Sequence, residues 1–208
     1  MKSPKRTKAA IIQAATTLFS MNGKNGTSVS QIAEYCEINN SLIYYHFDDK
    51  DRLYDLVIRV NIKKMINYLH YQILLQHVKA PDRSKLIEIF IRFWQENPEV
   101  LKLLIYEINN GADALIEILK SPRTTNLQSK LHNIVAILEQ HVSPGADCDD
   151  DRINGFISFV GIVMIYALFE PLFDNLFNVS MEQKNDFIKR RIELITEVYQ
   201  SHNRIYNK

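Results

Sequence analysis

The sequence predicts an all-α protein: an N-terminal three-helix helix-turn-helix domain, joined by a long helix to a larger C-terminal helical domain. Apolar residues recur at i, i+3 and i+4 through nearly every segment from Thr7 to Ser201. Two Ser-x-x-Gln capping boxes, Ser28 with Gln31 and Ser180 with Gln183, mark helix starts. No segment alternates apolar and polar residues as a half-buried strand does.

Helix 1 is expected over about Thr7 to Met21, with Ala10, Ile11, Ala14, Ala15, Leu18 and Phe19 on one face and Gly23 and Gly26 closing it. From Thr27 to Lys50 two short apolar runs follow, Val29, Ile32 and Ala33, then Ile38, Ile43 and Phe47. They read as two helices meeting at a tight turn over Tyr35 to Ile38, the first capped by Ser28 and the second by Asn39. If Ile38, Ile43 and Phe47 face inward, then Asn40, Ser41, Tyr44 and Tyr45 face outward. Amide, hydroxyl and phenol groups on such a surface can meet base edges and phosphate oxygens. Two adjacent outward tyrosines have no purpose in plain solvent.

These residues carry a resemblance. The run from Ala14 to Leu53 resembles the DNA-binding domain of the TetR family of bacterial regulators through Ala15, Phe19, Gly26 to Val29, Ile32, Ala33, Ile43, Tyr44, His46, Phe47, Lys50 and Leu53. It departs from the family at Glu37, in the turn, and at Ser41, in the second short helix, where Gly is usual or frequent. A Gly in a turn suggests positive φ, so the turn here must bear that strain or bend differently. The resemblance implies that Thr27, Tyr44, His46 and Lys50 act mainly on phosphate. Asn40, Ser41 and Tyr45 are the base-edge candidates, and Ser28 and Asn39 flank them. It further implies a C-terminal domain that binds a ligand and dimerises through its last two long helices.

The chain beyond Lys50 fits that expectation. A helix from about Asp49 to Gln76 is too long for the reading head alone and reads as the connector between residues 1–49 and 50–208. Further helices are expected over Arg83 to Glu96, from Pro98 with the stripe Val100, Leu101, Leu104, Ile105 and Ile108, then a short one ending before Pro122, and Thr125 to His141. A nearly all-apolar helix from Arg152 to Phe173, kinked or ended at Pro171, and a last one from Ser180 to Ser201 complete the chain. Gly155, Ser158 and Gly161, with Ile188, Ile192, Ile195 and Tyr199, are the dimer-interface candidates, because Gly inside a helix suits close approach of another helix.

Composition narrows the function. The 208 residues are 46% hydrophobic and carry a net charge of only +1, yet Lys2, Lys5, Arg6 and Lys8 crowd the start, with no acid before Glu34. A basic arm before a helix-turn-helix reads as a phosphate or minor-groove contact, assigned to Lys5 and Arg6. No apolar run reaches the ~18 residues of a membrane span and no signal-peptide core is present, so a cytoplasmic protein is expected. Cys36 and Cys148 read as free thiols. The acids from Asp147 to Asp151 lack the Gly and Glu of a calcium loop, and His70 and His77, two helical turns apart, cannot share a metal alone. No nucleophile and base pair or phosphate loop is legible. The expectation is therefore no enzyme, no cofactor and no metal site.

The partners expected are a double-stranded DNA operator of pseudo-palindromic form, a second copy of the chain, and a small hydrophobic organic effector, with no membrane. The resemblance implies an effector pocket, for which Trp94, Tyr106, Glu107, His132 and Tyr166 supply polar tips among aromatic residues. The reading is a transcriptional regulator, a repressor released by its ligand. Its rivals are a TetR-like protein of nucleoid organisation or division control, and a helical partner-binding module.

Overall fold

The computed structural model describes residues 4–75, 83–120, 125–142, 149–177 and 190. Among these residues every regular element is an α-helix: α1 (Pro4–Asn22), α2 (Val29–Tyr35), α3 (Asn40–Phe47), α4 (Lys50–Leu75), α5 (Arg83–Glu96), α6 (Pro98–Asn109), α7 (Asp113–Lys120), α8 (Thr125–Val142) and α9 (Asp149–Phe177). The expected helix from Ser180 to Ser201, with Ile188, Ile192, Ile195 and Tyr199, lies outside the described residues, as does Cys148. Pro171 does not end its helix: α9 continues for six residues beyond it. Beyond it the Asn175 side-chain amide donates to the Pro171 carbonyl at 2.8 Å.

The chain folds into two compact units, residues 1–65 with 97–125, and residues 66–96 with 126–208. This differs from the expected division at residue 49/50, for a physical reason. The first part of α4, together with α6 and α7, packs with the N-terminal helices. Ile11, Ala14, Ala15 and Phe19 of α1 are buried with Val29, Ile32 and Ala33 of α2, Ile43 and Phe47 of α3, and Leu53, Tyr54 and Val57 of α4. Asn61 of α4 donates to the Thr16 hydroxyl at 3.1 Å, a buried polar tie to α1.

The α6 helix lies against α1. Gly23, with φ +70°, closes α1, and a Cβ built there would run into the Tyr106 ring. The left-handed backbone favours glycine here, and any side chain would also have to displace the Tyr106 ring. On α6 the buried residues are Val100, Leu101, Leu103, Leu104 and Glu107. Ile108, expected inside, is exposed, and the acid beside it is buried in its place.

In the second unit Ile66, Leu69 and Ile73 of α4, Leu86, Phe90, Phe93 and Trp94 of α5, Ile134 and Leu138 of α8, and Phe159, Val163 and Tyr166 of α9 are buried. Phe90 meets Phe159 edge to face with centroids 5.3 Å apart, a favoured aromatic arrangement that ties α5 to α9. The Lys130 ammonium donates to the Asn67 side chain at 2.6 Å, joining α8 to α4.

Candidate nucleic-acid interface

Local hydrogen bonds build the helix-turn-helix as its sequence predicts. The Gln31 backbone N–H donates to Ser28 Oγ at 3.2 Å, while the Ser28 N–H donates to Gln31 Oε1 at 2.7 Å, a complete capping box. At the other end of α2 the Ile38 N–H donates to the Ala33 carbonyl and the Glu37 N–H to the Glu34 carbonyl, both at 3.0 Å. That is a Schellman closure, which requires a left-handed residue after the cap. Glu37 supplies it with φ +55°, so the turn bears the strain that the family's glycine would avoid. Exchanging Glu37 for Gly should therefore stabilise the N-terminal unit by up to about 1 kcal/mol, the strain relieved less the greater freedom of an unfolded glycine. An unchanged or lower urea midpoint would contradict this.

Asn39 caps α3 by accepting the Ser41 N–H at 3.0 Å. Asn40, the first residue of α3, donates from Nδ2 to Ser30 Oγ at 3.0 Å and so fixes α3 against α2. Nothing in the sequence pattern marked Ser30 for this role, since the pair lies ten residues apart. After Phe47 the chain reverses within two residues. The Asp49 N–H donates to the Phe47 carbonyl at 2.7 Å across Asp48, whose φ of 63° and ψ of −58° make a tight, strained γ-turn. Asp49 then caps α4, its carboxylate accepting the Arg52 N–H at 2.7 Å.

With Ile43 and Phe47 buried, the opposite face of α3 stands clear of the core. Tyr45 is 80% exposed and Tyr44 50% exposed, and Asn40 and Ser41 are exposed beside them. His46 is half-buried, with its ring against those of Tyr45 and Phe47 at centroid distances of 5.2 and 6.0 Å. The Lys8 ammonium sits 5.2 Å above the Phe47 ring, placing a cation at the C-terminal end of α3. Residues 11–57 match the model of the bacterial regulatory proteins of the tetR family. That stretch is a DNA-binding domain of the TetR type.

Individual relatives extend the likeness. The negative transcriptional regulator IcaR of the biofilm operon icaADBC, from Staphylococcus epidermidis, is 24% identical over 180 residues, 86% of this chain and 92% of that protein. The transcriptional repressor Rv3405c of Mycobacterium tuberculosis is 40% identical over 62 residues, 30% of this chain and 33% of its own. A transcriptional regulator of Aquifex aeolicus has the same fold, with a TM-score of 0.55 at 19% identity, over 92% of this chain and 98% of that one.

Two expected phosphate contacts of the TetR-type domain are engaged otherwise. Thr27 is 1% exposed, and its hydroxyl donates to the Gly23 carbonyl at 2.9 Å. Its side chain locks the loop after α1 and does not reach the outer face. The Lys50 ammonium donates to the Lys24 and Thr27 carbonyls at 3.1 and 3.2 Å, where it closes the same loop. Both readings from sequence missed this because loop carbonyls carry no residue signature. Lys5 and Arg6 fall in the first turn of α1.

The pocket candidates divide between the two units. Glu107, 6% exposed, accepts the Tyr54 phenol at 2.8 Å on one carboxylate oxygen and the Ala114 N–H at 2.8 Å on the other. Burial, and then the hydrogen bond to this carboxylate, push the Tyr54 phenol well above its ordinary pKa. Glu107 thus joins α4, α6 and the start of α7, and Tyr106 lies on Gly23. In the second unit Trp94 and Tyr166 are buried and His132 is exposed. The Trp94 indole N–H is buried without a hydrogen-bond partner among the described residues.

Gly155 and Ser158 lie in α9, as does Gly161, whose added Cβ would meet nothing within 4 Å. Among the described residues nothing comes within 4 Å of that Cβ. Among the described residues no helix is long and apolar enough to cross a membrane, and no group of three or more His, Cys, Asp or Glu could hold a metal ion.

Proposed function

We propose that this regulator is a repressor that binds a pseudo-palindromic operator as a homodimer and is released by a small organic effector. One observation carries the DNA-binding part: a short helix pinned by caps at both ends holds Asn40, Ser41, Tyr44 and Tyr45 outward, free of the core. Such a helix suits the major groove, with its N-terminal residues on base edges. In the folded double variant Tyr44→Ala/Tyr45→Ala, specific binding should weaken by about 1 to 3 kcal/mol with helical content unchanged. Unaltered operator affinity in that variant would remove α3 from the interface. A genome-wide map of bound sites separates a regulator, with few promoter sites, from an organiser of the nucleoid, with many dispersed ones.

The dimer reading is supported by α9. Ile157, Gly161, Ile165, Leu168, Leu172 and Leu176 recur every three or four residues, and the five large side chains among them are exposed. This apolar stripe has the periodicity of a helix seam and suits a two-fold contact with a second copy. Because the described residues leave room at Gly161, Gly161→Leu should leave the monomer folded and weaken self-association, by about 1 to 3 kcal/mol. Sedimentation that finds the variant dimerising like the parent protein would place the seam elsewhere.

The effector reading rests on the second unit, where the Trp94 N–H is buried and its ring meets that of Phe93 at a centroid distance of 5.0 Å. An unmet buried donor costs about 1 to 3 kcal/mol, which an acceptor on a ligand would offset. The effector is accordingly hydrophobic and bears a carbonyl or similar acceptor. Glu107 takes no part, since both its oxygens are engaged within the first unit. Such a ligand raises the melting temperature and weakens operator binding together.

A further inference from the structure

Ser41 is the second residue of α3, and the hydrogen bonds around it decide which way its hydroxyl points. Its backbone N–H donates to the Asn39 side chain at 3.0 Å. An N–H can only donate, so the Asn39 atom facing it is the carbonyl oxygen Oδ1 and not the amide nitrogen. Ser41 Oγ lies 3.0 Å from the same Oδ1. That oxygen bears no proton, so the hydrogen between the two belongs to Ser41. A serine hydroxyl has one hydrogen and two lone pairs. With its hydrogen given to Asn39, the exposed Ser41 oxygen offers only lone pairs outward.

An acceptor of this kind cannot hydrogen-bond a phosphate oxygen, which is itself an acceptor. In the major groove the only donors are the adenine N6 and cytosine N4 amino groups; guanine O6 and N7 and thymine O4 all accept. We infer that Ser41 reads an amino base, adenine or cytosine, at one position of each half-site and rejects guanine and thymine on that strand. The inference rests on the proposed entry of α3 into the major groove. Asn39, the helix cap, acts as a positioning residue that sets the polarity of the serine.

The test is selection of binding sites from randomised duplex DNA by the full-length chain and by two variants. For the parent protein one position per half-site should favour adenine or cytosine about 3- to 10-fold over guanine or thymine, the worth of a single net hydrogen bond. Ser41→Ala should flatten that position and leave the others intact. Asn39→Gly retains most of the cap's stability but frees the serine hydrogen, so guanine and thymine should become acceptable there. The inference is overturned if Ser41→Ala leaves the selected site unchanged, or if the lost preference is for guanine or thymine. Should the parent protein select no sequence at all, the reading of α3 as the recognition helix fails, and this inference with it.

Discussion

Replacing Gly23 with alanine should destabilise the N-terminal unit by about 2 to 4 kcal/mol. Two terms add. A left-handed φ of +70° costs a non-glycine residue on the order of 1 kcal/mol or more, and the new Cβ would have to push the Tyr106 ring aside. The lower entropy of an unfolded alanine offsets about 0.4 to 1 kcal/mol of this. Hydrogen exchange at the amides of α1 and α6 reads the loss where it arises. A double-mutant cycle separates the terms, because in a Tyr106→Ala background only the backbone strain is left, about 1 kcal/mol. Equal losses in both backgrounds would show that the ring does not crowd Gly23.

Removing the buried carboxylate should have an effect of similar size. Glu107→Leu keeps the bulk of the side chain but leaves the Tyr54 hydroxyl and the Ala114 N–H, each bonded to it at 2.8 Å, without an acceptor. Orphaning the buried Tyr54 hydroxyl costs about 1 to 3 kcal/mol and orphaning the part-buried Ala114 N–H less, so the expected loss is about 2 to 4 kcal/mol. Adding Tyr54→Phe should recover about 1 to 3 kcal/mol, because one of the two orphans is gone. Protonation gives an independent check. The folded phenol has its pKa raised, first by burial and then by Glu107. Its contribution is complete below about pH 10, where an unfolded tyrosine still holds its proton, and is lost as pH rises further. Tyr54→Phe should therefore flatten the alkaline fall in stability. A variant as alkali-sensitive as the parent would show that Tyr54 is not the group responsible.

The helices were legible in the sequence because the forces that start and stop them act within a few residues. The Ser28 and Gln31 box, the Asn39 cap and Pro98 at the first position of α6 all stand where local chemistry places them. The outward face of α3 followed from periodicity alone, since burying Ile43 and Phe47 leaves Tyr44 and Tyr45 no other side. Glu37 could be flagged as a strained turn residue, but whether the turn would bend or bear the strain depended on closure by two backbone hydrogen bonds.

Pairings across long stretches of chain were not legible. Glu107 looked like an acid available to a ligand, and its partner Tyr54 lies 53 residues away on another helix. Lys50 looked like a phosphate contact, but it closes a loop whose carbonyls are 23 and 26 residues distant. Gly23 read as a helix end, and only the packing of α6 on α1 put a tyrosine ring above it. Periodicity states which face of a helix is buried and says nothing about what covers it. The sequence alone therefore determined where the helices lie and which face of α3 looks outward, while the tertiary structure decided which polar groups that face has left to offer. Hydrogen bonds formed between distant segments use up donors and acceptors that each segment, taken alone, would still present.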